Sequence, residues 1–111
     1  MTRLPHTGHA ILDVRKLERY RLDPAHPRGR HKARVFRDAL GIGQRHAAWL
    51  RDALLRGAGR SEAVEIATDS FGTRWRADIE VARQSRRVVV RTLWIVRPGE
   101  NAIRFVTCWV L

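Results

Sequence analysis

The chain has 111 residues, enough for one compact domain and too few for two. Lys and Arg total 22 against 11 acidic residues, giving a formal charge of +11 and a pI near 11.6. This excess favours an anionic partner, whether nucleic acid, an acidic protein or a membrane surface. A single cysteine, Cys108, excludes an internal disulfide and a cysteine-built zinc site, and no run approaches the roughly 20 apolar residues of a membrane span.

Residues 1–9 (MTRLPHTGH) carry no periodicity and read as a flexible lead-in to a single domain over 10–111. No apolar stretch there resembles a signal peptide, which predicts a cytoplasmic place of action. Asp13 suits the N-cap of a helix over Val14–Leu22, with Val14, Leu17 and Leu22 roughly on one side. Pro24 and Pro27 end it. Gly29–Leu40 reads as a second helix with Ala33, Phe36, Ala39 and Leu40 on one face, stopped by Gly41–Gly43. A third follows at about Gln44–Arg56, with Ala47, Leu50 and Leu54 in a stripe.

The period then changes. In "AVEIATDSFGTRWRADIEVAR" two strand-like runs join at Asp69–Gly72, and Trp75, Ala77, Ile79 and Val81 alternate with charged residues. Arg86–Val96 is more apolar and reads as a central strand. The Arg97–Asn101 turn leads to a last strand over Ala102–Leu111. Helices followed by an antiparallel meander predict an α+β fold.

Several residues are candidates for chemistry. His26 sits in the proline turn, and imidazole suits proton transfer near neutral pH. Lys32 lies one turn into the following helix among Arg30, His31 and Arg34. A solvated basic face is the ordinary reading, while a phosphate clamp at a helix start is the functional one. Thr92 and Thr107 fall inside two apolar strands and are expected on one sheet face, where a buried hydroxyl needs a partner. Trp49, Trp75, Trp94 and Trp109 are foremost core residues, Trp109 least so, and any exposed one could stack a base. The histidines show no metal-ligand spacing. Phosphate-loop and nucleophile-elbow motifs are absent.

The stretch Lys16-Leu17, Tyr20, Leu22, His26-Pro27, Gly29, Lys32-Ala33, Phe36 and Leu40-Gly41, followed by Val90, Thr92, Trp94-Ile95 and Phe105-Val106-Thr107, resembles the bacterial DUF6883 type of domain. The resemblance spans about residues 10–110. Similar modules stand at the C-terminal ends of polymorphic and contact-dependent inhibition toxins, which resemble metal-independent ribonucleases of the barnase, EndoU, colicin and RelE type. The resemblance implies N-terminal helices packed on a four- to five-stranded antiparallel sheet, and an endoribonuclease toxin without a cofactor, cutting RNA such as tRNA. It also implies a neutralising antitoxin or immunity protein, expected to be acidic against +11. Trp109 stands where the family pattern has tyrosine.

On that reading His26 would act as base or acid and Lys32 would stabilise the phosphorane. Thr92 and Thr107 would donate to phosphate or ribose, while Arg30, Arg34, Arg91 and Trp109 would hold the RNA. The alternative is a non-catalytic basic module that binds an acidic protein or nucleic acid. Convergence of the four catalytic candidates in one cleft favours the first reading and dispersal the second. The apolar last strand also offers an open edge for a homodimer.

Overall fold

The architecture follows from two apolar patterns, one helical and one alternating, meeting across a single core. In the computed structural model, which describes residues 2–111, Ala33, Phe36 and Leu40 are the buried stripe of helix α1 (Arg30–Leu40). Gly41 ends the helix in the left-handed region, at φ 68°, and its N–H donates to the Arg37 carbonyl. A short turn over Gln44–His46 enters helix α2 (Ala47–Ala58), whose Leu50, Leu54 and Ala58 are buried. At Gly57 a β-carbon would lie 2.2 Å from Ile79 Cγ2, so the missing side chain lets α2 settle directly on the sheet.

That sheet has five strands: β1 (Ala10–Ile11), β2 (Ala63–Asp69), β3 (Gly72–Arg83), β4 (Arg86–Val96) and β5 (Ile103–Val110). Their order is β1-β5-β4-β3-β2. The fold is α+β, with helices packed on a mostly antiparallel sheet. The two-residue β1 runs parallel to β5, which makes the sheet mixed rather than purely antiparallel. Ala77, Ile79 and Val81 of β3, with Val90, Thr92 and Trp94 of β4, face the helices. Among the described residues no helix is long and apolar enough to cross a membrane.

Three local features depart from the sequence expectations. The helix expected over Val14–Leu22 forms over residues 15–21, but it widens to an i to i+5 turn at Leu17–Arg21, closed by Leu22 N–H donating to the Leu17 carbonyl at 2.8 Å. Leu17 and Leu22 would point about 140° apart on a regular helix. The i to i+5 turn brings both into the core, where each is at most 1% exposed. Asp13 caps the start of that stretch as expected: its carboxylate accepts the Arg15 N–H at 2.9 Å and also the Arg15 guanidinium. The lead-in is anchored from Thr2 onward: the Thr2 carbonyl accepts from Ala63 N–H, Arg3 bridges to Glu62, and Leu4 is buried.

The third departure is a bulge in β5. Trp94 pairs with Phe105, but Leu93 pairs with Thr107, so Val106 is an extra residue. The alternation slips by one. Cys108, rather than Thr107, then stands opposite Thr92, and Thr107 and Trp109 stand opposite Leu93 and Arg91. The two threonines therefore do not share a sheet face as expected.

Candidate functional site

β1 pairs with only Ile103 and Arg104, which leaves the rest of the β5 edge without a strand neighbour. The widened turn lies against that edge instead. A cleft of about 350 Å³ opens between them, lined by Lys16, Tyr20, Arg21, Phe105, Val106 and Thr107. Lys16 Nζ donates to the Phe105 carbonyl at 3.0 Å, capping one of the free edge acceptors.

Arg21 dominates the electrostatics of the cleft. Its side chain is pulled inward by the same turn that buries Leu17 and Leu22, and only 9% of the residue is exposed. Its guanidinium carbon lies 4.5 Å from the Tyr20 ring centroid. Nε and Nη1 are buried without a hydrogen-bond partner, and so is the Thr107 hydroxyl. Buried donors lacking acceptors carry a penalty of about 1–3 kcal/mol each. Two orphaned groups in the wall of one cleft, both able to donate, make a site shaped for an anion.

Four of the sequence candidates gather around this edge. Thr107 lines the cleft. The His26 ring makes an edge contact with Tyr20, with centroids 4.3 Å apart. Lys32 Nζ stands 4.9 Å from the Trp109 ring centroid in a cation–π contact. Arg21 and Lys32 both act on Cys108: burial pushes its thiol up to about 12, and the two cations partly oppose that rise. Cys108 itself is a buried, inert thiol.

His26 has a second task that its place in a proline turn does not reveal. Its Nδ1 accepts the backbone N–H groups of Arg28 and Gly29, each at 3.1 Å, and organises the entry to α1. A β-carbon at Gly29 would fall 2.3 Å from the Tyr20 carbonyl oxygen, so this turn is pressed onto the cleft wall. With Nδ1 accepting, the neutral ring carries its proton on Nε2 and can donate from there.

The remaining candidates lie elsewhere. Thr92 is fully buried: its hydroxyl donates to the Ala77 carbonyl at 2.6 Å and accepts from Trp94 Nε1 at 2.7 Å. It is a structural tie between β3, β4 and the largest core side chain, with no path to a ligand. Arg30 and Arg34 line a separate hollow of about 180 Å³ with Leu22, Pro24 and Arg37. Two residues along a helix is about 200° of turn, so neither can stand beside Lys32. Arg91 forms a two-pronged ion pair with Asp78 at 2.9 and 3.0 Å. Its guanidinium holds the Asp78 carboxyl below the usual range.

Arg21 was missed, though the sequence holds a sign of it. Val14, Leu17 and Arg21 follow an i, i+3, i+7 spacing, so a helical reading already puts an arginine in the inward stripe.

Residues 3–111 match the family model described as a domain of unknown function, DUF6883. The chain belongs to the DUF6883 family. No curated protein and no solved structure gives a significant match. In this member of DUF6883 the match takes in every residue of the cleft and both of its flanking aromatics, Tyr20 and Trp109.

Proposed function

We propose that this domain binds RNA through its phosphodiester backbone, with a phosphate seated in the cleft at the β5 edge. The observation that carries the reading is the pair of buried, unpartnered guanidinium nitrogens of Arg21, Nε and Nη1, beside the unpartnered hydroxyl of Thr107. A phosphate satisfies both with charge-assisted hydrogen bonds, and a planar guanidinium can meet two of its oxygens at once. Lys16 at the rim and Lys32 nearby add positive charge, and the +11 of the whole chain draws a polyanion to the surface. Tyr20 and Trp109 offer aromatic faces beside the cations.

The test is binding of a labelled unpaired RNA at low salt. Arg21→Met should weaken it by about tenfold or more, a change of about 1.4 kcal/mol. Affinity should also fall steeply with added salt. Arg21→Met binding as tightly as wild type would sink the reading.

A second reading is metal-independent cleavage of that RNA, as in a toxin held in check by an acidic antitoxin or immunity protein. Contact between the Tyr20 and His26 rings favours it, because it sets two proton-bearing groups next to the guanidinium. The 2′-hydroxyl would attack phosphorus and pass its proton to water, water would protonate the leaving 5′-oxygen, and His26 Nε2–H would join Arg21, Lys32 and Thr107 in hydrogen-bonding the phosphorane oxygens. No role remains for Thr92. Purified protein incubated with total tRNA in excess chelator should then cut it. His26→Ala and Lys32→Ala should each lose a factor of roughly 100. RNA that is bound but stays intact under these conditions leaves only the binding reading.

A further inference from the structure

The cleft does not end at Phe105. Lys16, Phe105 and Val106 also line a second, larger groove of about 800 Å³. It runs between the tip of the β2–β3 hairpin and the turn that joins β4 to β5. Its volume lies within the range of about 300–1,000 Å³ usual for ligand sites. Phe71 stands on its rim and is 70% exposed, the most exposed of the large apolar side chains among the described residues. An aromatic ring left in water at a hairpin tip contributes nothing to the core. Its position is nevertheless fixed from two sides. The Asp69 carboxylate accepts the Phe71 N–H at 2.8 Å. At Gly72, where φ is +135°, a β-carbon would lie 2.2 Å from the Val96 carbonyl oxygen and 3.0 Å from Arg97 Cα. Only glycine lets the hairpin approach so closely, and that approach sets Phe71 beside Arg97.

The charge of the groove is strongly one-sided. Lys16, Arg74, Arg97 and Arg104 line it against one carboxylate, Asp13, which is itself held by Arg15. Arg74 pairs with Asp69 and Arg104 with Glu100. Arg97 is exposed and has no ion pair among the described residues. Exposed aromatic, free guanidinium and apolar floor (Ile95, Val106) together form the combination that holds an unpaired nucleotide: the base stacks and the backbone meets a cation.

We infer that this groove is a subsite for the nucleotides flanking the phosphate held by Arg21, with a base stacked on Phe71 and the backbone against Arg97. The domain is thereby selective for single-stranded or looped RNA over duplex. Bases in a duplex are stacked on each other and cannot reach a ring on the rim. The inference rests on the proposed RNA reading of the cleft.

The experiment compares wild type, Phe71→Ala, Phe71→Leu, Phe71→Trp and Arg21→Met on an unpaired RNA of about 12 nucleotides and on a duplex of the same length. Phe71 is exposed, so its variants should keep the melting temperature of wild type. Phe71→Ala and Phe71→Leu should each lose about 5- to 150-fold in affinity for the unpaired strand, and Phe71→Trp should keep it. Wild type should bind the duplex more weakly, and the Phe71 variants should not alter that binding. If Phe71→Ala binds like wild type while Arg21→Met does not, the subsite falls and the phosphate cleft stands. Recovery by Phe71→Leu would also overturn it, because an apolar contact would then suffice. If wild type binds neither RNA, the cleft reading fails and takes the subsite with it.

Discussion

Thr92 and Thr107 stand on neighbouring strands, both inside apolar tracts, and meet opposite fates. The β3–β4 seam around Thr92 is fully satisfied: the hydroxyl donates to Ala77, accepts from Trp94, and lies under helices that leave no water. The β5 edge around Thr107 leaves its hydroxyl and two guanidinium nitrogens of Arg21 buried with nothing to bond. A fold can tolerate unsatisfied polar groups only where the rest of the core carries the deficit, and such places tend to be functional. The comparison separates a seam whose polar groups are all satisfied from an edge whose polar groups are open to the proposed ligand.

Thr92→Val should break the satisfied side with the larger effect. The swap removes a hydroxyl at nearly constant shape, leaves the Trp94 indole N–H without an acceptor and takes a side-chain bond from the Ala77 carbonyl. The expected loss is about 2–4 kcal/mol, read from urea unfolding. RNA affinity of the folded fraction should not change. A loss below about 0.5 kcal/mol would mean that the seam is not held by this tie.

Arg21→Met should move stability in the other direction. It replaces an unpaired buried cation with an apolar chain of similar length, and the fold should gain about 1 kcal/mol after loss of the contact with Tyr20. Greater stability together with weaker RNA binding is the signature of a group kept for a ligand. If Arg21→Met is instead destabilised as much as Thr92→Val, the guanidinium is a structural part of the core.

Much of the frame could be read from the residues because its periods run unbroken. The Trp75, Ala77, Ile79, Val81 alternation marks β3, and the run Arg86–Val96 coincides with β4. The stripe of Ala33, Phe36 and Leu40 marks α1. Two of the misreadings come from a single-residue slip in such a period. The extra residue in the Leu17–Arg21 turn widens the expected helix and buries Arg21. Val106, the extra residue of β5, moves Thr107 off the face of Thr92. Periodicity assumes constant phase, and both slips occur in the wall of the cleft, where the chain must depart from regular pairing to leave an edge open. β1, two residues long and parallel to a strand more than 90 positions later, has no local signal at all. His26, Lys32 and Thr107 stand at or near the cleft, and residue type and context alone are enough to single them out. Arg21 needed the turn, and Thr92 was over-read because a buried hydroxyl in a sequence does not reveal whether its partner is backbone or ligand.

The histidines extend the contrast to a smaller scale. His46 does at the entry to α2 what His26 does at the entry to α1: its Nδ1 accepts a backbone N–H, here from Gly43 at 3.0 Å. Its Nε2 faces Arg83 Nη2 at 3.4 Å, whereas His26 faces Tyr20. Desolvation, then the charges of Arg83 and Arg45, lower the His46 pKa below the ordinary 6.5. A lowered pKa means that the unfolded chain binds the proton more readily than the native one. The stabilisation is therefore complete above about pH 6.5 and is lost as pH falls through the native value. Wild type should lose more stability than His46→Asn between about pH 7.5 and about pH 5.5, because the amide oxygen can take the Gly43 N–H without titrating. The carboxylates lowered by arginines, Asp69, Asp78 and Glu100, lose their share only at more acidic pH, outside this window. Parallel pH profiles for the two proteins would show that the Arg83 contact gives way when the ring is protonated, and that the α2 entry is looser than its geometry indicates.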